Sequence, residues 1–301
     1  MEQLEGRRML SVGPQPLPRA ADAVPLPRYD HVVIVVEENH SYDQILGTPA
    51  DPPLGFSSLL WPYLLNQPLP QLHDDYIRSL AAAGASFTNS HALTHPSQPN
   101  YLDLFSGSDQ GVTSDATPRQ TFAGPDLGGE LLAAGLSFAG FSESLPRVGW
   151  NGGDRKYYVR HHSPWVNFSD VPLSDNLPFA KFPRDYTQLP TVSFVIPNLI
   201  HDMHSDTIQM GDRWVKKHMN RYARWARKHN SLLIVTWDES AGSAGRTNQI
   251  PTIFYGAHIQ RGQYSQQINH FNVLRTIEDM YSLAPTGAAA SATPISGVFG
   301  G

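Results

Sequence analysis

The stretch His31-Val32-Val33-Ile34-Val35-Val36-Glu37-Glu38-Asn39 decides the fold. Its unbroken β-branched run shows no polar alternation, so both faces of the strand need cover, as in most parallel sheets. Similar runs stand at Val192-Ser193-Phe194-Val195-Ile196 and Leu232-Leu233-Ile234-Val235-Thr236, with a shorter one at Ile253-Phe254-Tyr255. Helical patterns lie around 73–84, 128–135, 210–229 and 271–282. Strands alternating with helices predict an α/β fold, a three-layer sandwich with a mostly parallel central sheet.

Working outward, the predicted strands end in acids and amides: Glu38 and Asn39, Asn198, Asp238 and Glu239. Ligands of open α/β sheets bind at that carboxyl edge. The segment 144–190, rich in proline and aromatics, reads as a long excursion over the same edge, and such insertions are often functional. There is no internal repeat and one brief low-complexity tail, Ala288 to Ala292.

The chain has 301 residues, 40% hydrophobic, enough for one large α/β domain or two small ones. Residues 1–28 contain Pro14, Pro16, Pro18, Pro25 and Pro27 and read as a flexible leader, which leaves 29–301 as the domain. Within the leader, Leu4-Glu5-Gly6-Arg7-Arg8-Met9-Leu10-Ser11 is similar to a short motif at the start of many exported bacterial proteins. Export to the periplasm or medium is therefore expected, with a disordered polar leader as the alternative. A net charge of -5 implies no general affinity for nucleic acid. The absence of cysteine excludes thiol catalysis, thiolate zinc sites and disulfides. No apolar run is long enough for a transmembrane segment.

Thr94-His95-Pro96-Ser97-Gln98-Pro99-Asn100-Tyr101 carries the chemistry. A hydroxyl followed by x-Pro-Asn suits the first turn of a helix, where Pro99 forfeits no hydrogen bond. Free N–H groups and the positive dipole end there favour an alkoxide and an incoming phosphate. A helix N-cap is the plain alternative for Ser97. As a weak nucleophile, a serine hydroxyl needs a base or a metal. Glu38, Asn39, Asp238, Glu239 and Ser97 itself offer oxygen ligands for one divalent ion, Ca²⁺, Mg²⁺ or Mn²⁺ before Zn²⁺.

Of thirteen histidines, His161-His162, His201, His204 and His270 stand near strand ends or helix starts. There imidazoles can donate to phosphoryl oxygens or protonate a leaving oxygen. His95, Asn100, His201, Asp202 and His270 are expected to line the substrate, while His31, His73, His218, His229 and His258 are expected bystanders. The basic segment Arg213, Lys216, Lys217, Arg221, Arg224, Arg227 and Lys228 carries Trp214, Tyr222 and Trp225 between its charges. It reads as a solvated face over an aromatic core stripe, with contact to anionic substrates or membranes as the alternative.

Taken together, these residues resemble the phosphoesterase family that contains bacterial acid phosphatases and phosphocholine-type phospholipases C, within the alkaline phosphatase-like superfamily. The likeness runs from about His31 to the C-terminus. It rests on Glu38-Asn39-His40-Ser41-Tyr42-Asp43, His95 to Tyr101, Pro197-Asn198 with Asp202-Met203-His204, Thr236-Trp237-Asp238-Glu239-Ser240, and His270 through Glu278. The resemblance implies a phosphoserine at Ser97, metal at Glu38, Asn39, Asp238 and Glu239, and a phosphate site lined by His162 and His204. Asn198 stands where two-zinc members look to have an aspartate, so one metal is expected. Where the family often shows Lys-His-Asn-Pro, this chain has His161-His162-Ser163-Pro164. Sulfatase chemistry is disfavoured, because its signature needs arginine at Tyr101.

The expected function is a metal-dependent phosphomonoesterase of the acid phosphatase type, acting on a small phosphorylated substrate. Nucleotides, sugar phosphates and phospholipid or phosphoinositide head groups are candidates. A phospholipase C-type phosphodiesterase and a non-catalytic phosphate-binding module are the rivals.

Overall fold

The computed structural model describes residues 26–47, 75–242 and 247–300. Most of the expected leader, with its Leu4–Ser11 motif, and His73 lie outside the described residues. The strands are β1 (His31–Glu37), β2 (Ala85–Phe87), β3 (Ser90–His91), β4 (Phe138–Ser142) and β5 (Asn176–Pro178). They continue with β6 (Val192–Ile196), β7 (Ser231–Trp237), β8 (Thr252–Gly256), β9 (Gly262–Tyr264) and β10 (Ile268–Asn269). Eight form one sheet in the order β5-β4-β6-β1-β7-β8-β2-β9, and β3 with β10 forms a small parallel pair.

From β5 to β7 every pairing is parallel. The Ile253–Tyr255 run lies in β8, which is antiparallel to both β7 and β2. The sheet is thus mostly parallel. Strand β4 escapes the sequence pattern because Gly140 and Ser142 dilute its apolar run. The structural reason is close packing: a Cβ at Gly140 would run into the Trp165 ring.

Both faces of the sheet are covered, as the β1 run requires. Val32, Ile34 and Val36 face one core with the Ser97–Ser106 and His270–Tyr281 helices, while Val33 and Val35 face the Ile208–Ala226 helix across the sheet. In that last helix Trp214 and Tyr222 are buried and Arg213, Lys216, Lys217, Arg221 and Arg224 are exposed, a core stripe under a solvated basic face. Among the described residues no helix is long and apolar enough to cross a membrane. The 144–190 excursion holds β5 and several short 3-10 turns.

Candidate active site

Parallel register assembles the acidic pairs. Glu37 of β1 lies opposite Trp237 of β7, so Glu38-Asn39 and Asp238-Glu239 leave two neighbouring strands side by side. Asn39 N donates to Asp238 Oδ1 at 3.0 Å, and Asp238 N donates to the Glu37 carbonyl at 3.0 Å. Asn39 holds φ at 50°, a left-handed conformation that Asn tolerates better than most side chains. Strand alternation sends Glu37 to the opposite face, where its buried carboxyl has no hydrogen-bond partner.

Ser97 is the first residue of the wholly buried Ser97–Ser106 helix, with Pro96 in the cap position and no side-chain cap. Its hydroxyl is therefore not engaged as a cap. Ser97 Oγ donates to Glu38 Oε2 at 3.2 Å and lies 3.5 Å from Asn39 Oδ1. Tyr101, one helical turn on, donates its hydroxyl to Glu38 Oε1 and stacks on His162 with ring centroids 5.0 Å apart. Asn100 faces the preceding loop: its Oδ1 accepts from Leu93 N and Thr94 N, and its Nδ2 donates to the Thr94 and Pro96 carbonyls and to Glu239 Oε2 at 3.3 Å. The loop clamp occupies this side chain, leaving little of it for a substrate.

Burial pushes every acid of the cluster up. Glu38 lies well above the usual carboxylate range, with Asp238 and Asp202 adding to the effect. Burial takes Asp238 to about 7, and burial with the Asp238 charge takes Glu239 to about 9. Asp202 reaches about 8 through burial. So many crowded carboxyls invite a cation.

The Asn39 amide tests whether a cation fits. Its side-chain oxygen faces Glu38 Oε2 and Glu239 Oε1 at 3.2 Å and both Asp238 carboxylate oxygens at 3.3 Å, acceptors all. A flipped amide has only two N–H groups for these contacts. Oxygen ligands held at roughly 2.0 to 2.6 Å around a hard cation stand about 3 Å or slightly more from one another, which matches this spacing. Among the described residues no three His, Asp or Glu side chains form a ready-made metal cage. The donor set fits a metal only when the Asn39 oxygen and Ser97 hydroxyl complete it.

The histidines divide. His162 is buried, with Nε2 3.2 Å from Glu38 Oε1 and Nδ1 3.7 Å from Asp202 Oδ2. The first contact is proximity rather than an aligned hydrogen bond, since Nε2 has no bonding partner. Burial, with His161 and His204 nearby, lowers its pKa well below 6.5. His95 Nδ1 meets Glu239 Oε2 at 2.8 Å with part of its ring open to solvent. His204 is exposed, and its N–H donates to Asp202 Oδ1 at 2.9 Å. His201 instead turns to Glu143 Oε2, at 2.8 Å, and Asn198 Nδ2 donates to Ser144 Oγ, so both side chains are held by the loop after β4, while the Asn198 carbonyl accepts from Asp202 N at 2.9 Å.

His270 contacts the cluster from behind, with Nε2 2.7 Å from the Asp238 carbonyl. Burial lowers its pKa to about 4, so it is neutral and donates there. Its unfolded value near 6.5 lies higher, so stability from the neutral form is present above that pH and lost as pH falls towards 4. The difference amounts to ~3 kcal/mol for a shift to about 4. His270→Gln is expected to remove this slope between pH 6.5 and 4, read by urea unfolding of both proteins across that range. A parallel slope in the variant would place the effect elsewhere.

Tyr101 and His40, which the sequence offers only as motif members with no role, and Asp115, which it does not mark at all, join the site. Tyr101 was legible as i+4 from Ser97 on one helix face. Asp115 lies on a loop, accepts from Gln98 N at 3.0 Å, and helps raise Glu239. No local pattern announces it. His40 bonds the Glu38 carbonyl at 2.9 Å. Cavities of about 610 and 420 Å³ lie elsewhere, around Phe179 with Arg221 and around Tyr42 with Arg261. Chemistry rather than cavity size marks the site.

The chain and its fold have counterparts in known proteins. Residues 72–284 match the Phosphoesterase family. A phosphatidylinositol-3-phosphatase of Mycobacterium tuberculosis is 47% identical over 277 residues, 91% of this chain and 84% of the relative. A probable acid phosphatase of Kluyveromyces lactis is 29% identical over 240 residues, 71% of this chain and 55% of that one. A solved structure of an alkaline phosphatase superfamily protein from Vibrio parahaemolyticus superposes with a TM-score of 0.60 at 13% identity, covering 91% of this chain and 72% of that one. At that identity the likeness concerns the fold alone. The chain belongs to the Phosphoesterase family and is a hydrolase acting on phosphoric esters.

Proposed function

We propose that this chain is a metal-dependent phosphomonoesterase that works through a phosphoserine at Ser97. The observation that carries the reading is Ser97 Oγ, uncapped at a buried helix start and hydrogen-bonded to Glu38 beside Asn39. Glu38, Asn39, Asp238 and Glu239 would hold the metal. When bound, the cation supplies positive charge that favours the serine alkoxide and offsets phosphoryl charge.

The remaining work falls to the chain. The Ser97 hydroxyl directs its proton to Glu38 Oε2, which takes it as Oγ attacks phosphorus. The bond from phosphorus to the leaving alcohol breaks, and the alcohol takes a proton from the exposed rim, where His204 stands. Water then cleaves the phosphorus–Oγ bond and Ser97 regains its proton. Tyr101 holds Glu38 in place by its hydrogen bond, and His162 stacks on the Tyr101 ring.

Likeness to the phosphatidylinositol-3-phosphatase favours a phosphoinositide head group, and the fungal acid phosphatases favour simple monoesters. Hydrolysis of p-nitrophenyl phosphate, p-nitrophenylphosphorylcholine and phosphatidylinositol 3-phosphate, after chelation and with metals restored, tests this. Metal-dependent turnover of the two monoesters is expected. Turnover of the choline ester alone would make the enzyme a phospholipase C-type diesterase.

A further inference from the structure

Among the described residues three large hydrophobic side chains are exposed, Val148 at 40%, Leu173 at 40% and Tyr157 at 37%. Scattered exposed apolar residues are ordinary, but these three lie along one strip of the 144–190 excursion. Gly149, with φ at 70°, packs so closely on Leu173 that a Cβ there would lie 3.2 Å from the Leu173 carbonyl oxygen. The Trp150 carbonyl is tied to Asn176 Nδ2 at 2.6 Å. Arg147 and Arg155 both lie over the Trp150 ring, at 5.4 and 5.2 Å from its centroid. Backbone bonds of 3.0 and 2.9 Å between Arg155 and Tyr158 make a tight turn with Lys156 and Tyr157 at its tip. There the Lys156 ammonium sits 4.8 Å from the Tyr157 ring centroid.

Three cations thus stand over aromatic rings, and none forms an ion pair among the described residues. Of the nearby acids, Asp154 accepts from Arg160 N and Asp175 from Ser174 Oγ. On a chain of net charge -5 this local positive charge is no bulk property. The strip adjoins the site: Leu199 N donates to the Tyr157 carbonyl at 3.1 Å, and the chain leads from Tyr157 directly into His161-His162.

We propose that this strip docks on an anionic lipid bilayer. Tyr and Trp suit the interface between head groups and acyl chains, Val148 and Leu173 enter its apolar side, and the cations meet lipid phosphates. Docking there would bring the Ser97 cluster to a phosphate carried by a lipid, so its purpose rests on the phosphoinositide reading above. The docking itself needs no turnover.

The test is flotation of the full chain carrying Ser97→Ala with phosphatidylcholine vesicles, with and without phosphatidylserine, which is no substrate for a monoesterase. Binding is expected only with phosphatidylserine, falling as salt rises. Adding Arg147→Glu, Arg155→Glu and Lys156→Glu is expected to weaken it about a hundredfold. Val148→Ser, Leu173→Ser and Tyr157→Ser should weaken it about tenfold. In an otherwise wild-type chain both triple variants should hydrolyse p-nitrophenyl phosphate at the unmodified rate, which shows that they fold. Equal binding to both vesicle types, or undiminished binding by the charge-reversed variant, would overturn the proposal. Failure of p-nitrophenyl phosphate turnover in the wild type would instead sink the phosphatase reading and leave the vesicle result to judge the surface.

Discussion

Ser97→Ala is expected to lower kcat for p-nitrophenyl phosphate at least about a thousandfold, with inorganic phosphate still bound. The loss is large because Oγ would be the atom that bonds to phosphorus. Folding should survive, because Ser97 caps no helix and its hydroxyl bonds within the acidic cluster, to Glu38, Asn39, Asp238 and Glu239. Thermal unfolding alongside the rate separates the two effects. A variant with a normal Tm and near-normal kcat would remove Ser97 from the reaction.

Metal removal is the second large effect. Chelation is expected to abolish turnover, and restored Mg²⁺, Mn²⁺ or Ca²⁺ to recover it. The effect on stability follows from the acids around Ser97, with Asp238 at about 7 and Glu239 at about 9. Both lie above their unfolded values, so the metal-free fold binds more protons than the unfolded chain. The stability these protons contribute is full below the unfolded values of 3.8 and 4.5 and is lost as pH rises from there, completely for Asp238 above about 7 and for Glu239 above about 9. A cation replaces those protons, so it binds better as pH rises. At a hundredfold excess over Kd the ion adds about 3 kcal/mol, or roughly 5–10 °C in Tm. Scanning calorimetry with and without metal at pH 5 and pH 8 checks the sign. An increment no greater at pH 8 would contradict it, as would an unchanged increment in Asp238→Asn.

The strands that position the site were legible because they are fully covered. Nothing but a doubly buried strand explains Val32 to Val36, and parallel β1–β7 register then sets Glu38 beside Asp238. Strand β4 was illegible because its small residues make room for Trp165, a packing partner distant in sequence. At the site, Glu38, Asn39, Ser97, Asp238 and Glu239 come together as strand ends and a helix start dictate. His201 and Asn198 leave the strand-end set because Glu143 and Ser144, on the loop after β4, hold them. His270 meets the Asp238 backbone instead of open space. Such choices depend on which side chains meet across the fold, which spacing along the chain does not encode. Asp115 is the limiting case, an exposed loop acid placed because Gln98 N donates to its carboxylate and Gln98 Nε2 pins the carbonyls of Ser114 and Ala116.

Trapping the covalent intermediate tests the central claim most directly. Wild-type protein mixed with excess substrate and metal is quenched in acid, digested and examined by mass spectrometry. One phosphoryl group on the peptide containing Ser97, absent from chelated protein and from Ser97→Ala, is the expected result. Turnover with no phosphorylated peptide under the same quench, or the same label in Ser97→Ala, would contradict a phosphoserine at Ser97.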